Sequence, residues 1–278
     1  MNQHAQKSIL ITGCSSGIGL CVAKALHKHG YRVFATARKK EDVLELKSLG
    51  LESLHLDLTD SLSIKNAVKE VSHRTNGTLD ALFNNGAYGQ AGALEDISRE
   101  VLQEQFETNV FGWHELTNLV LPIMLKQGHG RIIQNSSVLG IIALKFRGAY
   151  TASKYAIEGL SDTLRQELMG TNIFVSLIEP GPIESQFRAN SFAMYKKYIN
   201  KETSRFKNEY EATEKRLGKK GSAVPFTLPP EAVLKRVIHA LESKKPKPRY
   251  YVTTPTYLFG FLKRIFSAGL LDRLLVKV

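Results

Sequence analysis

The stretch "KSILITGCSSGIGLCVAKALHKHG", residues 7 to 30, changes its periodicity once, and the reading of the fold starts from that change. Residues 7 to 13 form a short apolar run ending in glycine, which predicts a buried strand. Residues 17 to 30 place Ile18, Val22, Ala25 and Leu26 on one face and stop at Gly30, which predicts a helix with glycine just past its end. Between them lies "TGCSSGIG", residues 12 to 19. Glycines at 13, 17 and 19 permit a tight turn, and they let the backbone around Ser15, Ser16 and Ile18 approach a pyrophosphate at the helix N-terminus. The spacing G-x-x-x-G-x-G is wider than the usual dinucleotide fingerprint, and a purely structural turn is the competing reading.

The same alternation continues outward. "YRVFATA", "LESLHLDL", "LDALFNNGA", "GRIIQNSS" and "NIFVSLIEPG" read as further strands, with helices between them. Ser61 is expected to cap the third helix, residues 98 to 127 to form one long helix, and 149 to 169 another. The strands are continuously apolar, as in a parallel sheet covered on both faces. After Gly181 the rhythm breaks. Residues 186 to 224 are rich in Lys, Glu and aromatics, followed by a helix from Pro230 and a seventh strand in "PRYYVT".

Composition narrows the class. The 278 residues, 43% hydrophobic and 23% charged, suit one large domain with a sizeable core. The first eight residues lack the apolar region of a secretory signal, and no apolar run approaches membrane-spanning length. Two cysteines, Cys14 and Cys21, are too few for a disulfide framework, and the eight histidines have no metal-ligand spacing. A reducing cytoplasm is the expected setting, and no metal is expected. The net charge is +12, and its excess lies wholly in the last third: residues 1 to 185 hold 18 basic and 19 acidic side chains, residues 186 to 278 hold 20 and 7. No nucleic-acid motif accompanies that charge, so nucleic acid is not an expected partner.

"GAYTASKYAIEGL", residues 148 to 160, places Tyr150 and Lys154 one helical turn apart on one face. An amphipathic pair would look the same. The wider pattern decides between the readings. T-G-x-x-x-G-x-G near the N-terminus with Y-x-x-x-K halfway along resembles the short-chain dehydrogenase/reductase family. Further landmarks follow in order: Asp57-Leu58, "NNGA" at 84 to 87, Asn109, Ser137 thirteen residues before Tyr150, and "EPGPI" at 179 to 183. The resemblance covers roughly residues 7 to 185 and, more narrowly, is to NADP-dependent aldehyde reductases of bacteria and to retinol and 17β-hydroxysteroid dehydrogenases. The chain departs from the family in reading Asn-Asn-Gly-Ala where Asn-Asn-Ala-Gly is usual, and in having Ser185 where Thr is frequent.

The resemblance implies a doubly wound α/β domain with a seven-stranded parallel sheet in the order 3-2-1-4-5-6-7. It implies a cofactor shell of Gly13, Ser15, Ser16, Gly17, Ile18, Gly19, Arg38, Asp57, Leu58, Asn84, Tyr150, Lys154, Pro180, Gly181, Ile183 and Ser185, and a catalytic set of Asn109, Ser137, Tyr150 and Lys154. In that set Tyr150 passes a proton to the carbonyl oxygen, Ser137 orients that oxygen, Lys154 lowers the phenol pKa and binds ribose hydroxyls, and Asn109 holds a relay water. NAD-preferring relatives carry an acid after the second strand; here Ala37-Arg38-Lys39-Lys40 stands there, and a guanidinium suits a 2′-phosphate. NADP(H) is therefore the expected cofactor. For Asp57 a helix-capping role competes with an adenine contact. Trp113, His114, Cys14 and Tyr155 read as packing residues.

The expected division is a core of residues 7 to 185, a substrate lid of 186 to 228, and a C-terminal helix, strand and basic tail of 229 to 278. The expected activity is NADPH-dependent reduction of an apolar aldehyde or ketone. An oxidative retinol, hydroxysteroid or alcohol dehydrogenase, and a non-catalytic NADP sensor, are the rivals. Phe187, Phe192, Tyr195, Tyr198, Phe206 and Tyr210 interleave with lysines and suggest an apolar lid face, although ordinary helix amphipathicity would do the same. In the tail, Phe261, Ile265, Leu271, Leu274 and Leu275 fall near one side at helical spacing, with Lys263, Arg264, Arg273 and Lys277 about them. Packing on the domain, covering the substrate entrance, a homo-oligomer contact, and weak peripheral contact with the inner face of the membrane are the open readings of that tail.

Overall fold

Continuous apolar runs become short buried strands, as their lack of alternation requires. They are β1 (Ser8–Ile11), β2 (Arg32–Ala37), β3 (Glu52–His55), β4 (Ala81–Asn84), β5 (Gly130–Asn135), β6 (Ile173–Glu179) and β7 (Arg249–Tyr251). In the computed structural model, which describes residues 6–219, 221–222 and 224–277, these strands form one parallel sheet ordered β3-β2-β1-β4-β5-β6-β7. The expected topology is the observed one. The N-terminal segment read for a secretory signal lies, through residue 5, outside the described residues, as does the last residue of the tail. Among the described residues no helix is long and apolar enough to cross a membrane.

Each face of the sheet is covered by helices. On one side α1 (Gly17–Lys28), α2 (Lys40–Ser48) and α9 (Glu231–Glu242) bury Val22, Leu26, Val43, Leu46, Val233 and Val237 against Ile9, Ile11, Val33 and Phe83. On the other, α3 (Ser61–Arg74), α5 (Gly112–Gln127) and α6 (Gly148–Glu167) bury Ile64, Val68, Trp113, Leu116, Val120 and Ile157 against Leu10, Phe34, Leu82 and Ile132. Each such large apolar side chain contributes about 1.5–3 kcal/mol. Gly30 and Gly50, at φ 84° and 81°, follow the ends of α1 and α2 as the glycine signals predicted.

Several expectations change. Asp60, not Ser61, caps α3, its carboxylate accepting from the Leu62 N–H. A carboxylate one residue earlier reaches the same orphan donors. The long helix expected over 98–127 is α4 (Arg99–Phe106) and α5, separated by a π-helical turn, Glu107–Phe111. The extra residue of that turn carries Asn109, and Gly112 follows it at a place where a Cβ would lie 2.1 Å from the Leu58 carbonyl oxygen.

The chain after β6 makes α7 (Phe187–Tyr198) and α8 (Lys207–Gly218), which share a small core of their own. Tyr195, Ile199, Tyr210 and Leu217 pack there on Ala91 and Ala93 of the loop after β4. Most of the aromatics expected to face a substrate are thus bound up in holding these helices together. Phe206 packs on Phe146, and the Tyr198 hydroxyl bonds Glu104. The tail forms two helices, α10 (Thr254–Ile265) and α11 (Ala268–Leu275). Its expected single apolar stripe is divided within each of the two helices. Leu271 and Leu275, with Phe259, Leu262 and Phe266, pack on Leu139 and Ile142 beside Tyr150, while Phe261, Ile265 and Leu274 face solvent.

Candidate active site

The strand order reverses between β1 and β4, so the loops leaving those strands diverge and open a crevice at their carboxyl ends. The result is a cleft of about 1060 Å³. Its floor begins at the glycine loop. Gly13 has φ 69°, and a Cβ there would lie 2.6 Å from the Gly86 Cα, so no other residue fits without moving the backbone. A Cβ on Gly19 would lie 2.2 Å from the Gly13 carbonyl oxygen, which seats α1 against its own loop. Ser16, the N-cap residue of α1, makes no side-chain cap bond. The first N–H groups of α1 are therefore left without a side-chain acceptor at the mouth formed by Ser15, Ser16, Gly17 and Ile18. Such an end suits an anion, and its glycine approach suits a pyrophosphate.

Across the cleft the loop after β4 is tied to this cradle. The Thr12 hydroxyl accepts from the Asn85 and Gly86 N–H groups at 2.8 and 2.9 Å, and Asn85 Nδ2 donates to the carbonyls of Thr12 and Gly13. Asn135 Nδ2 donates to Asn85 Oδ1 at 2.8 Å, carrying the tie on to β5. Asn84 is not in the cleft wall. The last residue of β4, it points its side chain into the core, where Nδ2 donates to Thr117 Oγ1 at 3.1 Å; its neighbour Asn85 faces the cleft instead. Leu58 is likewise buried, against Gly112 and Gly86. Asp57 accepts from the Thr59 N–H and hydroxyl and caps no helix. Arg38 stands exposed just past β2, its charge felt by the Tyr88 phenol.

The opposite wall brings Ser137, Tyr150 and Lys154 together. Ser137 follows β5 and accepts from the Leu139 N–H at 3.1 Å, opening a short 3-10 turn, Val138–Gly140. Tyr150 lies in the first turn of α6, with the Phe187 ring 5.1 Å from its own. Burial pushes its phenol above the ordinary tyrosine range, and a hydrogen bond with Ser137 opposes this. Lys154 is buried to 1% exposure; Nζ donates to the Asn135 carbonyl at 2.7 Å and sits 4.3 Å from the Trp113 ring centroid. Burial pulls its ammonium down to about 7, against the Glu158 carboxylate. The expected lowering of the phenol by Lys154 is not what this geometry gives. The ammonium is 5.6 Å from the Tyr150 ring centroid, and burial sets the direction of the phenol's shift.

Asn109 lies behind this wall. Nδ2 donates to the Tyr88 carbonyl at 2.9 Å and the Ser153 hydroxyl at 3.1 Å, while Oδ1 accepts from the Tyr88 N–H at 3.2 Å. Both Nδ2 donors are taken, so a relay water there would donate to the second lone pair of Oδ1 or bond the backbone. Trp113 does more than fill space: Nε1 donates to the Gly86 carbonyl at 2.8 Å while its ring faces Lys154. Tyr155 bonds the Ile141 carbonyl and Lys263, linking α6 to α10. The His114 ring bonds Asn118 at the surface, and Cys14 is a packed thiol whose pKa burial pushes up to about 12. Pro180, Gly181, Ile183 and Ser185 complete the cleft from β6; a Cβ on Gly17 would lie 2.9 Å from the Ser185 Cβ. Asn85, Asn135, Arg147, Arg188 and Arg216 also line the cleft and were not singled out from sequence. Asn85, within the Asn-Asn-Gly-Ala landmark, and Asn135, two residues before Ser137, had positional cues; the three arginines had none.

A doubly wound sheet of this order, with a glycine cradle facing Ser137, Tyr150 and Lys154, defines the short-chain dehydrogenase/reductase class of oxidoreductases. The chain belongs to that family: the short chain dehydrogenase family model matches residues 7–196. Among its relatives, the uncharacterized oxidoreductase YbbO of Escherichia coli (strain K12) is 44% identical over 270 residues, 97% of this chain and 94% of that protein. The NADPH-dependent 3-dehydrocapnine reductase of Ornithobacterium rhinotracheale is 31% identical over 277 residues, 96% of this chain and 95% of that one. A short-chain dehydrogenase crystal structure from Streptomyces avermitilis superposes with a TM-score of 0.77 at 27% identity, covering 98% of this chain and 94% of its own.

Proposed function

We propose that this chain works in the cytoplasm, reducing an aldehyde or ketone with a substantial apolar part to the alcohol, with NADPH as the reductant. The observation that carries the reading is the convergence of Ser137, Tyr150 and Lys154 on one cleft whose other end is the glycine cradle. NADPH held at the glycine cradle would supply the hydride that the carbonyl carbon takes up. The Tyr150 phenol donates a proton to the carbonyl oxygen, so that C=O becomes CH–OH, and the Ser137 hydroxyl orients that oxygen. The phenol, held above its ordinary range by burial, is protonated at neutral pH, the form that donates. Lys154 binds the nicotinamide ribose and feeds the proton back to the phenol through a water on Asn109. Helices α7 and α8, within residues 186 to 228, act as the substrate lid, with Phe187 and Phe192 as its apolar contacts.

Arg38 binds the 2′-phosphate in this reading, supported by the absence of an acid after β2 and by the NADPH dependence of the 3-dehydrocapnine reductase relative. Its charge-assisted bonds contribute about 1.5–3 kcal/mol, roughly ten- to a hundredfold in affinity. Ala37→Asp with Arg38→Leu is expected to move preference from NADPH to NADH. The test follows loss of reduced-nicotinamide absorbance over a panel of aldehydes, ketones and steroids with each cofactor. No consumption with any carbonyl would refute the reductase reading, and an unchanged preference in the double variant would remove Arg38 from the phosphate site.

A further inference from the structure

We infer that the carbonyl substrate carries an oxyanion, bound by the guanidinium groups of Arg147 and Arg216 where α6 and α8 meet the cleft. The inference rests on carbonyl reduction at Tyr150 and adds the chemical class of what is reduced. Arg147 is the N-cap residue of α6, three positions before Tyr150, and pairs through its backbone with Gly92 of the loop after β4. Arg216 reaches the same cleft from the last turn of α8. Neither has a carboxylate within 4.0 Å among the described residues, and Glu214, two positions before Arg216, is held by Lys201. Glu184, exposed, is the one carboxylate among the described residues that line the cleft.

The molecule does not treat its other half-buried arginines this way. Arg249 meets Glu158, Asp162 and Glu179, and Arg131 donates to two backbone carbonyls and lies over the Phe174 ring. Arg147, by contrast, is half-buried in the cleft wall and faces a second cation. Burial first, then the Arg216 guanidinium, pulls it down to about 10, so it is still protonated at neutral pH. Arg216 is lowered in turn by burial and by Arg188, which itself donates to the Lys219 and Gly221 carbonyls. Half-buried like charges without a partner are costly, and a bound anion removes that cost. Planar guanidinium groups suit a carboxylate, phosphate or sulfonate through paired N–H donors. Phe187, Phe192, Leu139 and Leu217 line the same cleft, so the fitting substrate is amphiphilic.

Steady-state kinetics of the full chain with NADPH test this, using a medium-chain ω-oxo carboxylate, its methyl ester, and the matching ω-oxo alkyl phosphate. The wild type is expected to prefer the acid, the phosphate or both over the ester by about ten- to a hundredfold in kcat/KM, and the favoured anion names the headgroup. Arg147→Met and Arg216→Met should each lose most of that ratio through the KM of the anion, and Arg147→Lys should keep part of it. Should a variant fail to fold, the wild-type ratio decides alone. Equal turnover of anions and ester would overturn the inference and leave carbonyl reduction standing. A raised KM for NADPH with the anion preference intact would give the arginines to the cofactor phosphates and overturn it too. No NADPH consumption with any of the three would remove the reductase reading and the inference with it.

Discussion

Lys154 shows how one residue couples fold and chemistry. Its ammonium is buried between the Asn135 carbonyl and the Trp113 ring, and burial holds it at about 7. An unfolded lysine titrates near ~10.4, so between these values the unfolded chain binds more protons than the folded one. Stability therefore rises with pH over that window, and the penalty is fully present below about 7. Comparing wild type with Lys154→Met by urea unfolding without cofactor, the difference should shift in favour of wild type by about 1–3 kcal/mol from pH 6 to pH 9. A flat difference would mean that the lysine is not strained by its site. The Tyr150-Lys154 spacing was legible in sequence, because i and i+4 share a helix face wherever the helix lies. The Trp113 ring against Lys154 was not, because it needs α5 and α6 to meet.

Among the elements, the tail separates pattern from packing. Leu271, Leu274 and Leu275 fall on one helical stripe in sequence, yet Leu271 is 9% exposed on the turn after Ser137 and Leu274 is 42% exposed. Leu271 and Leu275 take the packed side of α11 and Leu274 its open edge, and periodicity alone does not say which part of an apolar stripe finds a partner. Leu271→Ala should cost about 2–4 kcal/mol in urea unfolding, and Leu274→Ala within about 0.5. Equal small losses would show that α11 adds nothing to the fold. The π-helical turn at Glu107–Phe111 was hidden for a related reason. One inserted residue shifts the apolar face by a step that Trp113, Leu116 and Val120 absorb, and only the bonds of Asn109 to Tyr88 and Ser153 reveal its use.

At the scale of the whole molecule, sheet order and cradle were readable because they depend on local runs: apolar strands, a glycine loop, and right-handed crossovers that leave few topologies. What sequence could not give is the meeting of Arg147 with Arg216, 69 positions apart in the chain, across a cleft made by four different loops. The same assembly sets Tyr150 as the one phenol beside Ser137 and Lys154 among the described cleft-lining residues. Removing only its hydroxyl is the most direct test. Tyr150→Phe keeps the ring that packs on Phe187 and should bind NADPH nearly as the wild type does by fluorescence titration. Its kcat for carbonyl reduction should fall about 10²–10⁴-fold; turnover within a few-fold of wild type would contradict proton donation by Tyr150.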